Sequence, residues 1–187
     1  MSRRLPFYIV LDTTEALEGE AIEAINCGIS TLVQALQSDP YALETMWISV
    51  IVIQDDVKRL AALTELSAFK APRLEARGKI PAHLDGVIHL LVNCIHADVV
   101  PDTTFKKGDW RPVILFMLFG DFTAPSDKAM KSLLELRPAT IIPCGNGPAL
   151  EALEAIARLF QVAALDMSAT NAHSFVSQIR WQSFGIS

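Results

Sequence analysis

The chain has 187 residues, 51% of them hydrophobic and 20% charged, with a formal net charge of -5. That composition describes a folded chain with a substantial core and excludes a disordered one. The acidic balance leaves no basic footprint for nucleic acid, and no apolar run reaches the roughly 18 to 20 residues a membrane span requires. Met1-Ser2-Arg3-Arg4 precedes an apolar run, but Asp12, Glu15, Glu18 and Glu20 follow without a cleavage pattern, so a cytoplasmic protein is expected. Cys27, Cys94 and Cys144 have no zinc spacing and are expected to be buried, reduced thiols.

In chain order, Leu5 to Leu11 is an unbroken apolar run ending at Asp12. A strand apolar on both faces belongs in the middle of a parallel sheet. Ile22, Ile25, Ile29, Leu32, Val33 and Leu36 then recur at helical spacing, and the helix is expected to stop near Ser38-Asp39-Pro40. Trp47 to Ile53 is a β-branched strand, Gln54-Asp55-Asp56 a turn, and Val57 to Leu63 an antiparallel edge strand. After a loop over residues 66–81, Leu84, Val87, Ile88, Leu91, Ile95 and Val99 mark a second helix. Pro112 to Leu118 reads as strand, Ser126 to Leu136 as helix and Ala139 to Pro143 as strand. A turn at Gly145-Asn146-Gly147-Pro148 leads into a helix carrying Leu150, Leu153, Ile156, Leu159 and Phe160 inward. Val162 to Leu165 is a last strand, and a closing helix is expected over Thr170 to Phe184. The alternation predicts an α/β, Rossmann-like doubly wound sheet, mostly parallel and six-stranded, with one antiparallel edge.

In such sheets ligands gather beyond the carboxyl ends of the strands, where Asp12-Thr13-Thr14-Glu15-Ala16 falls. This segment resembles the start of a von Willebrand factor A (vWA) domain, whose first strand runs into Asp-x-Ser-x-Ser, part of a metal-ion-dependent adhesion site. Further stretches are similar to the vWA proteins of bacterial tellurite-resistance and stress operons, the TerY-like group. They include Asp39-Pro40-Tyr41-Ala42-Leu43-Glu44-Thr45 and Lys107-Gly108-Asp109-Trp110-Arg111-Pro112, and continue in Phe175 through Trp181. The resemblance spans nearly the whole chain and implies a single vWA-like domain over residues 1–187.

That group completes its metal site with a threonine after a glycine-rich loop and an aspartate closing the fourth strand. The corresponding positions here carry Ile80 and Phe119, and Ala16 stands at the third position of the first motif. The resemblance therefore implies a degenerate adhesion site at Asp12, Thr14, Ala16, Ile80 and Phe119, with no resident cofactor. Asp12 would then be satisfied by Thr14 and backbone amides, with apolar side chains filling the ion's space. A second expectation is that Phe119, Phe122 and Leu17 stay partly exposed there as an apolar docking patch, with Glu15, Lys79, His83 and Asp121 as polar contacts. The implied function is a non-catalytic protein-interaction module in a tellurite-resistance or stress-response phosphorylation system, with a protein kinase and a phosphatase as partners. Thr13, Thr14 and Thr123 are candidate phosphate acceptors. The alternative is a metal-dependent adhesion module in which Asp12, Thr14 and a surrogate Asp121 hold Mg²⁺ or Mn²⁺.

Other chemistry is sparse. Asp85, His89, Asn93 and His96 share one helix face, which reads as solvated polar surface before it reads as a metal site. Gly145-Asn146-Gly147 lacks a longer phosphate-binding pattern. Neither a P-loop nor a nucleophile elbow occurs, so no enzyme is expected.

Overall fold

The computed structural model describes residues 3–78 and 84–167. Within them six strands form one sheet in the order β3-β2-β1-β4-β5-β6. The strands are β1 (Leu5–Asp12), β2 (Met46–Ile53), β3 (Val57–Glu65), β4 (Val113–Leu118), β5 (Thr140–Gly145) and β6 (Leu165–Asp166). The helices are α1 (Glu20–Gln37), α2 (Pro40–Thr45), α3 (Leu84–Asp98), α4 (Asp127–Glu135) and α5 (Ala149–Phe160). Every strand pair is parallel except β2–β3, where the chain turns straight back through residues 54–56. The doubly wound sheet and its antiparallel edge are as the sequence predicts. The edge strand runs two residues further than expected, to Glu65, and β6 is only two residues long.

Burial follows strand position. The run from Phe7 to Asp12 is buried throughout, whereas β3 alternates between half-buried and exposed residues, the pattern of an edge with one wet face. Alternate residues of the central strands feed two cores. Phe7, Ile9 and Leu11 face the side covered by α1, where Ile25, Ile29 and Leu32 meet them. Tyr8 and Val10 face the side covered by α3, α4 and α5, with Ile88, Leu133 and Leu153. The expected closing helix lies outside the described residues.

One helix, α2, was not expected from the sequence. After α1 the chain starts again as α2, because the Asp39 carboxylate caps the amides of Tyr41 and Ala42 at 2.9 and 3.1 Å and Pro40 takes the first turn. Cys27 is also corrected: it is exposed on α1, while Cys94 and Cys144 are buried, and burial pushes the Cys144 thiol up to about 12.

An ion pair between Arg4 and Asp109 helps tie the amino-terminal end of the sheet. Arg4, just ahead of β1, forks onto Asp109 with Nε at 2.9 Å and Nη2 at 2.5 Å, and Asp109 also accepts the Val100 amide at 2.8 Å. Burial pushes the Asp109 carboxyl up, but the Arg4 and Val100 hydrogen bonds outweigh it and hold the group below its ordinary value. A depressed carboxyl contributes stability that is complete above its unfolded pKa and lost as the pH falls through the folded one. Asp109→Ala should therefore cost about 3 kcal/mol at neutral pH, since it strands Arg4 in a half-buried position. In urea unfolding, the gap between wild type and variant should narrow as the pH drops below about 4.

Candidate functional site

The register of β1 against β4 pairs Leu11 with Met117, so the chain leaving β4 passes directly beside Asp12. This is the place where the strand order reverses: β1 runs on through α1 to β2 on one side, and β4 lies on the other. Asp12 is fully buried there. Its Oδ1 accepts the Thr14 amide at 2.9 Å, and its Oδ2 accepts the Gly120 amide at 2.7 Å and the Phe119 amide at 3.2 Å. Three main-chain donors from two loops thus converge on one carboxylate.

The surrounding backbone is fixed in turn. Thr13 donates both its amide and its hydroxyl to the Ile53 carbonyl, at 3.0 and 3.1 Å, which ties the turn after β1 to the end of β2. The Arg77 amide reaches the Thr13 carbonyl at 2.8 Å, and the Glu15 amide reaches the Gly78 carbonyl at 3.0 Å. Arg77 and Gly78 are therefore laced across the same turn.

No family model matches the sequence, nor does any curated protein. Solved structures do match. A von Willebrand factor type A protein from Catenulispora acidiphila superposes with a TM-score of 0.64 at 11% identity, over 96% of this chain and 42% of that one. BatB from Bacteroides thetaiotaomicron gives 0.61 at 14% identity, over 95% and 98%. An aerotolerance-related membrane protein from Bacteroides fragilis gives 0.61 at 13%, over 97% and 100%. The chain has the vWA fold.

In a vWA fold the end of β1 is where a divalent ion would be sought. Mg²⁺ asks for near-octahedral oxygen coordination at short range. Here main-chain amides already engage both oxygens of Asp12, and the two residues that follow β4 are Phe119 and Gly120, which bring no side-chain oxygen. Ala16 brings none either. Thr14 remains, 5% exposed, and Asp121 is exposed beyond the turn. Among the described residues no group of three or more His, Cys, Asp or Glu could hold a metal.

The other residues singled out in the sequence are dispersed. Phe119 is half-buried and packs on the α1-side core. Leu17 and Phe122 are 5% and 6% exposed, which corrects the expectation that they stay open beside it. Leu17 is turned onto the α1-side core by a single 3₁₀ turn over Glu15–Leu17. Phe122 folds back past Gly120 into the core under α3 and α4. Glu15 and Asp121 are exposed, while Lys79, Ile80 and His83 lie outside the described residues. Of the candidate phosphate acceptors, Thr13 and Thr14 are buried and closed to another enzyme's active site, and Thr123 is exposed. His89, Asn93 and His96 stand exposed on α3, and Asp85 accepts the Ser126 amide at 2.8 Å, joining α3 to the start of α4.

Sequence reasoning missed Gly120. A Cβ there would sit 3.2 Å from Asp12 Oδ2 and 3.3 Å from the Phe122 ring, so only a glycine lets the amide come this close without displacing either neighbour. A glycine directly after an apolar strand was the available signal. Gly120→Ala should cost about 1 to 2 kcal/mol by overpacking, read as a lower urea midpoint. Asp121→Asn should stay within about 0.5 kcal/mol of wild type, as an exposed substitution does.

Proposed function

We propose that this chain is a non-catalytic protein-interaction module whose adhesion site is degenerate. Its setting would be the cytoplasm, in a bacterial tellurite-resistance or stress-response phosphorylation system. Its partners there would be a protein kinase and a phosphatase. The observation that carries the reading is the occupancy of Asp12: its two oxygens take three main-chain amides, an arrangement that gives each oxygen a hydrogen-bond partner without an ion. The vWA fold supports a binding scaffold, and the sequence stretches similar to the TerY-like group supply the operon setting. The same geometry argues against the metal-dependent alternative through Asp12, Thr14 and Asp121, because an ion would compete with hydrogen bonds to a charged group.

Thermal melting of the purified chain separates the two readings. A ligand bound only to the native state at a hundred times its Kd adds about 2.7 kcal/mol. Mg²⁺ or Mn²⁺ in millimolar excess over chelator should leave the Tm unchanged within about 1 °C, whereas such binding would raise it by several degrees. A rise of that size, lost in Thr14→Ala, would replace the interaction reading with ion-bridged adhesion.

A further inference from the structure

The exposed apolar side chains are concentrated at the opposite end of the sheet from Asp12. Of the seven large ones among the described residues, only Leu60 and Leu134 lie elsewhere. Tyr41 and Leu43 project from α2, and Val100, Phe105 and Trp110 from the connection between α3 and β4. These two segments flank the start of β1, roughly 23 Å from Asp12 at 3.3 Å per strand residue. Between them opens a cavity of about 500 Å³, floored by Leu36 and Met46 and walled by Tyr41 and Trp110, with Arg3 and Arg111 at its margin. Both of the sequence stretches most specific to the resemblance, Asp39 to Thr45 and Lys107 to Pro112, supply its lining.

The cavity is built on fixed backbone. Arg3 lies over the Trp110 ring at 4.2 Å and donates to the carbonyls of Gly108 and Asp109 at 2.8 and 3.0 Å. The Asp102 carboxylate accepts the Gly108 amide at 2.7 Å. A Cβ at Gly108 would sit 2.2 Å from the Val100 carbonyl, so the connection is folded tightly on itself. Thr103 and Lys106 close a turn with hydrogen bonds of 2.9 and 3.1 Å, and this turn holds Phe105 out with 98% exposure. An aromatic held in water by an ordered turn is a poor way to build a monomer surface and a good way to build an anchor.

The cavity lining itself is mixed in charge, with Arg3 and Arg111 against Asp39, Asp102 and Asp109. Asp102 and Asp109 are matched by Arg3 and Arg4. Lys106, Lys107 and Arg111 form no ion pair among the described residues and line the connection that carries Phe105 and Trp110. This leaves three unpaired cations on one exposed connection, Arg111 among them lining the cavity, on a chain whose net charge is -5. On the far lip stands Asp39, engaged as the cap of α2. An apolar cavity bordered by a connection with three unpaired cations complements a segment that pairs a bulky apolar side chain with carboxylates. Asp39 and Asp102 at the margin work against a flat anionic lipid surface.

We infer that the base of the sheet, between α2 and residues 100–111, is the docking site for an acidic segment of a partner protein, which seats a large apolar side chain between Tyr41 and Trp110 and sets its carboxylates against Lys106, Lys107 and Arg111. The inference rests on the reading of the chain as an interaction module and assigns the contact to the end remote from Asp12. It also moves the contact away from Leu17 and Phe122, which are core residues.

The test is an amide NMR titration of the full chain with a capped Gly/Ser heptapeptide bearing one phenylalanine followed by two glutamates. Shift changes should map to residues 39–46 and 100–111 and weaken with added salt. Binding should fall about tenfold in Trp110→Ala and in Arg111→Glu, with Phe119→Ser unchanged. Both base substitutions are at exposed positions, and an unchanged melting temperature in Arg111→Glu confirms that loss is not misfolding. Equal binding of a control peptide with two lysines in place of the glutamates would overturn the inference, as would shifts centred on residues 12–17 and 119–122. So would binding only to phosphatidylserine vesicles, or self-association abolished by Trp110→Ala. A partner from host extract held equally by wild type and Trp110→Ala would remove the base assignment and leave the interaction reading standing.

Discussion

A carboxylate buried at the centre of a sheet must be neutralised, hydrogen-bonded or ligated, and Asp12 is hydrogen-bonded. Two loops supply the three amides, one leaving β1 and the other leaving β4, so the interaction closes the crevice at the sheet's switch point. Much of the carboxyl end is organised by it. Gly120 has to be small, and Phe122 has to turn inward behind it. Thr13 locks the same turn to β2 through Ile53. The result is a corner held by hydrogen bonds between two loops.

The amino-terminal end of the sheet is built on a different balance. There two ion pairs, Arg4 with Asp109 and Arg3 with Asp102, hold the long connection from α3 to β4 against the start of β1. A third pair, Arg59 with Asp98, draws β3 to the end of α3, and Asp98 also accepts the Tyr8 hydroxyl at 2.9 Å. Burial raises the Tyr8 phenol, and the neighbouring Asp98 raises it further, so it stays a neutral donor in that network. Because the pairs fix the backbone, the aromatic side chains on it can stand in water without collapsing. Polar order at this end supports apolar exposure, and polar order at the other end seals the surface.

Much of the fold was legible because the chain repeats simple patterns. Runs such as Leu5–Leu11 and Val113–Leu118 are apolar on both faces, and only the middle of a covered sheet accommodates them. The stripe from Ile22 to Leu36 named the buried face of α1 correctly. The brevity of β6 was not readable, since two residues carry no period. α2 was missed although its signal was present in Asp39-Pro40, a capping residue followed by a first-turn proline. At the candidate site, Asp12 and Thr14 could be placed from the strand end alone. The burial of Leu17 and Phe122 could not, because it depends on which way two turns send their side chains after Thr14 and after Gly120. The placing of Tyr41 and Trp110 on one cavity is likewise tertiary, between segments about seventy residues apart in sequence, a separation no local pattern encodes.

The account turns on whether the Asp12 carboxylate stabilises the chain by itself. An ion ligand kept in a site without its ion is a liability, and replacing it by its amide relieves that. A carboxylate that accepts three amides loses acceptors on the same replacement and places an NH₂ group against a donor. Urea unfolding of Asp12→Asn in the presence of chelator decides between them: destabilisation by about 2 kcal/mol or more is the predicted result, and a variant as stable as wild type, or more stable, would contradict it.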